Sequence, residues 1–384
     1  MTLTVANSAE QANLTRGLLP LWVGIAAYVL LVLAGDRLLI DPDTQWQITV
    51  GQWIVEHRAV PENDVYSFTM RGQPWISTQW LAQVAYAKVF AWFGWTGPVV
   101  LAAAASAATF ALLARYLCRS LSDTATLVFV AVAFALTTPH IMARPHVLAF
   151  PVMVAWIGGL VAAADRHQAP PLSMLPLMVL WANLHGGFVF GLLMIAPIAL
   201  DAVVGGQANL RKALALRWAG FAVAALIAGC CTPYGWNALL ASQKILSLGS
   251  ALPLITEWRA ADFTYLRPFE ICLLGGIGLA LYRGIRLPVV RILIVLGLVH
   301  MALAQGRAAE ILALLAPLVL AAPLARQIGD ARPGPVVHLL DDRTGDGDAC
   351  ICIDASLRAV HRQFAGCRCR RIEETELRTR VQRL

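Results

Sequence analysis

The sequence predicts an all-α membrane protein, built as a polytopic bundle of about ten membrane-spanning helices. Hydrophobic residues occupy 58% of the 384 positions and charged residues only 14%, whereas soluble domains carry roughly a quarter charged residues. Apolar runs near the roughly 20 residues needed to cross a bilayer recur along the chain. The net charge of +7 comes mainly from arginine. In such a protein arginine sets topology and contacts membrane lipids, so we expect no nucleic-acid partner.

The apolar runs divide the chain into three parts. The predicted spans lie near residues 17–35, 95–114, 124–140, 147–164, 171–184, 187–204, 216–231, 269–283, 287–304 and 308–325. Residues 1–16 are then an N-terminal cytoplasmic segment, 17–325 a transmembrane domain and 326–384 a small soluble tail. No small-residue cleavage site follows the first span, so we expect that span to be retained. The runs at 171–184 and 269–283 are short, as is common where a polar cavity enters the membrane.

Charge separates the predicted loops into two groups on opposite sides of the membrane. Alternate loops carry the basic residues Arg115, Arg119, Arg211, Lys212, Arg217, Arg283, Arg286 and Arg326. The positive-inside rule makes their side cytoplasmic. The other side receives the unusual polar motifs, at residues 41–43, 144–146, 183–187, 232–235, 257–259 and 305–307. We therefore expect these motifs to converge on one extracytoplasmic site.

Three helices are predicted outside the spans. The loop at residues 36–94 contains two of them, over about 44–57 and 79–93, and a third lies near 236–248. The helix at 79–93 lies at the interface or is itself a short span. An aspartate of the Asp-Pro-Asp motif can cap the first helix. The side of that helix predicted to face the membrane consists of Trp46, Ile48, Trp53 and Ile54.

The tail differs in composition from the spans, with many Asp and Arg residues and few apolar runs. Residues 336–340 and 351–353 are predicted as short strands, and 358–364 as a short helix. The tail also contains the cysteines Cys350, Cys352, Cys367 and Cys369. Four thiols suit zinc in number, although zinc ligands are usually separated by two to four residues. Reduced free thiols in a cytoplasmic tail are the alternative.

The polar motifs also form a recognisable series along residues 17–325. The first group is Asp41, Asp43, Thr44, Trp46, Gly51, Trp53, Ile54, Pro61, Asp64, Ser67, Thr69, Gly72, Trp75, Trp80 and Leu81. The later group is Arg144, Pro145, Asn183, Leu184, His185, Gly186, Pro233, Tyr234, Gly235, Glu257, Trp258 and Arg307. This series resembles bacterial membrane proteins of the type C glycosyltransferase superfamily, which hold a catalytic Asp in the first extracytoplasmic loop. The pattern has His and Glu where this chain has Thr78 and Gln79, which puts metal binding or acid–base work at that position in doubt.

The resemblance implies transfer of a sugar from a polyprenyl-phosphate donor to a lipid, glycan or protein acceptor, on the outer face of a bacterial inner membrane. Such a reaction needs a base, cations for the leaving phosphate and a groove for the prenyl chain. Asp43 or Asp41 is the expected base, with Asp43 favoured. Because Pro42 separates them, we expect one to be catalytic and the other to cap the helix. The alternatives are that both are caps, or that both join Glu257 around a divalent cation.

The remaining site residues are predicted to bind substrate. Arg144 and Arg307 are the candidates for the phosphate, although interfacial anchoring or an ion pair with Glu257 or Asp64 would also account for them. The other candidate substrate-binding residues are His146, Asn183, His185, Glu257, Trp258, Trp46 and Trp80. Histidine can bind substrate or move a proton, and an indole can stack on a sugar. Ordinary packing and lipid anchoring are the alternatives for these side chains.

Two other functions fit the same sequence. A transporter or flippase for lipid-linked glycans needs ionisable groups near the middle of the membrane, and Arg291 and His300 lie inside a predicted span. A non-catalytic assembly factor is the third possibility, and the missing carboxylate at Gln79 favours it.

Overall fold

The computed structural model describes residues 2–246 and 259–328, with side chains over 17–241 and 259–327, and four further residues of the tail. The α-helices of the described residues are α1 (Thr2–Leu33), α2 (Gly35–Leu38), α3 (Asp43–His57), α4 (Trp80–Phe93), α5 (Thr96–Leu117), α6 (Asp123–Thr137), α7 (Pro145–Asp165), α8 (Leu175–Leu184), α9 (Phe188–Leu193), α10 (Ile195–Gly205), α11 (Arg211–Gly229), α12 (Asn237–Leu246), α13 (Pro268–Arg283), α14 (Val289–Ala304) and α15 (Ala309–Ile328). Short 3₁₀ turns lie at Thr138–His140, Leu172–Met174, Ala208–Leu210 and Gly306–Ala308. The fold is therefore all-α, as predicted.

Six helical stretches in the described part of the chain are long and apolar enough to cross a membrane. They are Thr96–Leu117, Asp123–His140, Pro145–Asp165, Phe188–Gly205, Ala208–Gly229 and Gly306–Gln327. Shorter apolar helices lie at Gly17–Leu33, Leu172–Leu184 and Val289–Ala304. These lengths and compositions are those of a membrane protein.

Helix α7 is the central element of the bundle. Its side chains are buried along most of its length, and Trp156, Ile157 and Leu160 have no exposed surface. The Trp156 indole donates to the Gly191 carbonyl oxygen at 3.0 Å and stacks on Phe221. A buried tryptophan usually finds an acceptor for its N–H, and the Gly191 carbonyl oxygen near the end of α9 is that acceptor here.

Helix α3 packs against α4, and this contact corrects one prediction. Ile48 and Ile54 were predicted to face the membrane, but both are buried within the protein. The reason is the close approach at Gly51, where an added Cβ would lie 2.0 Å from the Gln83 carbonyl oxygen. Only glycine allows the two backbones to meet at this distance. Trp46, on the same helix, remains partly exposed.

At the end of the bundle where α7 finishes, Arg291 joins α14 to three other helices, α7, α10 and α15. Its guanidinium forms ion pairs with Asp165 and with Asp201, the latter at 2.9 Å. It also donates to the Val319 carbonyl oxygen at 2.9 Å. Pro323 lies four residues after Val319 and has no N–H to donate to that carbonyl. Arg291 therefore satisfies an acceptor that the proline leaves open, and the charge predicted inside a span is paired.

The C-terminal region forms a separate unit, Arg332–Leu384. Within it Val337–His338 and Cys352–Ile353 form an antiparallel pair of strands, with Val337 opposite Ile353. Both strands fall inside the predicted ones. The predicted helix at 358–364 and the side chains of all four tail cysteines lie outside the described residues.

Candidate functional site

The segments that carry the polar motifs meet at one end of the bundle, which we call the motif end. The backbone N–H of Ala143, just before α7, donates to the Leu38 carbonyl oxygen at 2.8 Å. On α8, Asn183 accepts a hydrogen bond from Trp80. Tyr234 donates to the Pro61 carbonyl oxygen at 2.8 Å, which joins the 232–235 motif to the first loop. Residues far apart in sequence are thus neighbours here.

An Asp–Arg–Asp cluster is the main feature of the motif end. Arg144 contacts Asp41 through Nε and Asp43 through Nη2, each at 2.5 Å. The other oxygen of Asp41 accepts from the Asp43 backbone N–H at 2.8 Å, so Asp41 caps the start of α3. Pro42 between the two carboxylates predicted that they point to different sides. Instead, one guanidinium bridges them. They remain unequal, since the side chain of Asp41 is 8% exposed and that of Asp43 is 54% exposed.

The backbone of Arg144 is fixed by Tyr86, a residue that was not among those predicted from the sequence. Tyr86 of α4 is fully buried, and its hydroxyl donates to the Arg144 backbone carbonyl oxygen at 3.1 Å. Arg144 was predicted to bind phosphate or to pair with Glu257 or Asp64. Two of its partners are Asp41 and Asp43, which share its guanidinium. Phosphate binding by Arg144 and a pair with Glu257, which lies outside the described residues, stay predictions.

An aromatic group lies one helical turn from Asp43. The rings of Trp46 and Tyr66 make an edge-on contact at 4.6 Å, and Trp75 lies 6.0 Å from Trp46. Trp46 is 37% exposed. An exposed indole beside a carboxylate can stack on the apolar face of a sugar, so the position predicted for Trp46 is compatible with substrate contact.

Tyr66 belongs to a rigid hairpin over residues 62–75. Asp64 accepts from the backbone N–H groups of Tyr66 and Ser67 at 2.8 and 2.9 Å, and from the Ser67 hydroxyl at 2.5 Å. These hydrogen bonds lower the pKa of the Asp64 carboxyl, with the Ser67 hydroxyl contributing most. The Asp64 carboxylate therefore stabilises the turn of its own loop.

A second polar group lies close to the first and contains His146, His185 and Arg307. The two imidazole rings are 6.3 Å apart, and Arg307 lies 3.6 Å from Glu310. His185 occupies the break between α8 and α9 and accepts from the Gly187 backbone N–H at 3.1 Å. Burial, followed by the charge of Arg307, lowers the pKa of His185 to about 3. His185 is therefore neutral at physiological pH and can exchange hydrogen bonds without carrying charge.

Trp80 and Asn183 lie at the mouth of an apolar groove. The Trp80 indole donates to Asn183 at 2.8 Å, and the Asn183 amide donates to the carbonyl oxygens of Val179 and Cys231. All the amide atoms of Asn183 are thus used to join α4, α8 and the end of α11. The groove beside them has a volume of about 710 Å³, and its wall also includes Leu81, Leu175, Pro176, Leu180, Thr232 and Pro233.

Gln79 is part of a neutral hydrogen-bond network. The amides of Gln79 and Gln83 both donate to the Gln47 side-chain oxygen, at 3.0 and 2.8 Å. The Ser77 hydroxyl donates to Gln83 at 2.7 Å. The network joins α3 to α4 without any charge. The sequence did not indicate this network, because glutamines at helical spacing, such as Gln79 and Gln83, usually face solvent.

The structure thus brings together Asp41, Asp43, Arg144, His146, Asn183, His185, Arg307, Trp46 and Trp80. Glu257 and Trp258 lie outside the described residues, so the proposed three-carboxylate cation site is not described either. Among the described residues, no group of three His, Cys, Asp or Glu side chains is arranged to hold a metal ion. The sequence missed Tyr86, Tyr66, Gln47 and Gln83. Comparison with protein-family models, with curated proteins and with solved structures finds no match for this chain.

Proposed function

We propose that this chain is a membrane glycosyltransferase that moves a sugar from a polyprenyl-phosphate donor to a lipid, glycan or protein acceptor. The observation that carries the proposal is the Asp–Arg–Asp cluster, in which Asp43 is half exposed while Asp41 and Arg144 are nearly buried. Arg144 contacts Oδ2 of Asp43, so the other oxygen is available to an incoming hydroxyl. Asp41 and Arg144 fix the orientation of that carboxylate.

In the proposed reaction Asp43 is the general base. Asp43 takes the proton of the acceptor hydroxyl while the acceptor oxygen forms a bond to the anomeric carbon. The bond between that carbon and the phosphate oxygen breaks, and its electron pair leaves with the polyprenyl phosphate. The exposed indole of Trp46, one turn along α3, would stack on a sugar during this step.

The donor phosphate is assigned to Arg307, which is ion-paired with Glu310 at 3.6 Å, whereas Arg144 bridges two aspartates at 2.5 Å. The neutral imidazole of His185 accepts from Gly187 at Nδ1, so its Nε2 can donate to a phosphate oxygen without repelling it. The ring of His146 beside it is fixed by a hydrogen bond from Nε2 to the His140 carbonyl oxygen at 3.2 Å. The groove of about 710 Å³ beside Trp80 would take the first part of the prenyl chain. Its wall is mostly apolar, which suits an isoprenoid.

The proposal takes all ten predicted apolar segments as crossings of a bacterial inner membrane, with α3 and α4 at its outer interface. The basic residues then face the cytoplasm and the motif end faces outward. A phosphatase fused after Ile328 should be inactive in this topology. An active fusion would contradict the orientation and the proposed exposure of Asp43 to the outer side.

The activity is tested by profiling polyprenyl-phosphate sugars by mass spectrometry in cells. Wild type, a deletion strain, Asp43→Asn and Asp41→Asn are compared at matched expression, with Asp262→Asn as a control carboxylate that the structure places outside the cluster. Asp43→Asn and the deletion should accumulate the same lipid-linked sugar, and Asp262→Asn should not. If the deletion changes the profile but both cluster variants match wild type, the transferase proposal fails.

The same experiment distinguishes glycosyl transfer from the two alternative functions, which are transport and assembly of lipid-linked glycans. Arg291, which favoured a transporter, is bound to two aspartates and a carbonyl, and His300 lies on the exposed side of α14. The neutral network around Gln79 favours an assembly factor only if Asp43 proves dispensable. A changed profile in the deletion alone would support one of these two functions.

A further inference from the structure

A small pocket lies at the end of the bundle opposite the motif end, between the final turns of α5 and α7 and the middle of α15. Its volume is about 170 Å³. Its wall includes the charged and polar side chains of Arg119, Arg166, Ser120 and Tyr116, and the apolar side chains of Leu318 and Ala321. It lies far along α5 and α7 from Asp43 and takes no part in the proposed reaction.

The charge of this pocket is positive. Asp165 also lines it and shares Arg291 with Asp201, so the two arginines of the wall against this one carboxylate leave a net charge of +1. Arg119 and Arg166 are both exposed, and among the described residues neither forms an ion pair with a carboxylate. The Arg119 guanidinium lies 4.5 Å from the centre of the Tyr116 ring, and the Tyr116 hydroxyl is bound to the Ala155 carbonyl oxygen. This stacking orients Arg119 without using its hydrogen-bond donors.

The shape suits a phosphate that carries apolar substituents. One water occupies about 30 Å³ of liquid, so the pocket has room for roughly five waters, or for one phosphate with its ester carbons. Arginine side chains bind phosphate oxygens through two parallel N–H groups. Leu318 and Ala321 provide an apolar side for the glycerol and acyl part of a lipid. Basic pockets between membrane helices are a known setting for anionic headgroups.

We propose that this pocket binds the phosphate of an anionic phospholipid, held by Arg119 and Arg166. The site is independent of the transferase proposal, since it shares no residue with the motif end. A free phosphate ion would meet the same two guanidinium groups. The two sources differ in the apolar contacts, which only a lipid makes.

The test measures binding of phosphatidylglycerol to the purified protein by native mass spectrometry. The double variant Arg119→Gln/Arg166→Gln removes both charges, and Arg115→Gln removes one charge from the same helix without touching the pocket wall. Charge-assisted hydrogen bonds to phosphate are among the strong ones, so affinity should fall at least about tenfold in the double variant. It should change less than about twofold in Arg115→Gln.

Two outcomes of the binding experiment would contradict the proposal. Equal binding by wild type and the double variant, with unchanged melting temperatures, would overturn it. Inorganic phosphate alone should bind much more weakly than phosphatidylglycerol. If phosphate binds as tightly and displaces the lipid completely, the pocket is a free-anion site and the lipid assignment is wrong.

Discussion

Replacing Arg291 by glutamine should destabilise the protein strongly, because three partners depend on this one side chain. Arg291 is 5% exposed, while the side chains of Asp165 and Asp201 are 26% and 12% exposed. The substitution leaves two nearly buried carboxylates without a cation. It also leaves the Val319 carbonyl oxygen without a donor, since Pro323 supplies none.

The size of the effect follows from these contacts. Removing one partner of a buried ion pair costs about 3–5 kcal/mol, and an unsatisfied carbonyl costs about 1–3 kcal/mol. Partial exposure of Asp165 lets water compensate in part, so we expect a loss of about 4 kcal/mol. Asp165→Asn should cost less than about 1 kcal/mol, because Asp201 still balances the guanidinium and the new amide oxygen still accepts.

The free energy of unfolding in mixed micelles, followed by tryptophan fluorescence, measures this difference. Arg286→Gln is the matched control, since Arg286 is an exposed arginine near the start of the same helix. Adding Asp165→Asn and Asp201→Asn to Arg291→Gln should recover part of the stability. If the free energy of unfolding of Arg291→Gln lies within about 1 kcal/mol of that of Arg286→Gln, the ion pairs do not stabilise the fold. A transport role for Arg291 is then favoured again.

Three further predictions concern the motif end. Gly51→Ala should abolish the folded peak in size-exclusion chromatography, because its Cβ would lie 2.0 Å from the Gln83 carbonyl oxygen; Gly220→Ala, with open space around the new Cβ, should leave the peak unchanged. His185 should make the protein less stable in acid. Its pKa is about 3 in the folded protein and 6.5 in the reference state, so the unfolded chain binds the extra proton and stability falls by about 1.4 kcal/mol per pH unit below 6.5. Between pH 7 and 5 the melting temperature of His185→Gln should therefore fall less than that of wild type. An equal fall in both proteins would contradict the burial of His185. Asp64 has a lowered pKa, so its hairpin should resist proteolysis above pH 3.8 and lose that resistance as the pH falls further, whereas Asp64→Asn should be cleaved readily at every pH.

The sequence was a good guide to the helices, because each depends on local signals. A helix lies at each of the ten predicted apolar segments, including the short one that ends at Leu184. Among the described residues six helical stretches are long and apolar enough to cross a membrane, so the predicted count of ten spans stays a prediction. The two loop helices, Asp43–His57 and Trp80–Phe93, were found from caps and periodicity. Convergence of the motifs followed from counting crossings and charges. These inferences need no knowledge of which side chains touch.

The contacts between segments could not be predicted in the same way. The pairing of Arg144 with Asp41 and Asp43 joins residues about a hundred positions apart, and no local pattern specifies it. The burial of Ile48 depends on the approach that Gly51 permits, and a glycine in a helix has several explanations. Sequence reasoning therefore gave the list of polar residues but not their partners.

The two Asp–Arg–Asp groups of this protein show why partners and exposure matter more than composition. Each group places one arginine between two aspartates, and each carries a net charge of −1. In the group around Arg291 the side chains are 5%, 12% and 26% exposed, Asp165 being the most exposed, and the arginine also bonds a backbone carbonyl, so the group joins helices. In the group around Arg144 the side chain of Asp43 is 54% exposed. A charged group can meet a substrate only where solvent can also reach it, so of these four aspartates Asp43 is the one to test for catalysis.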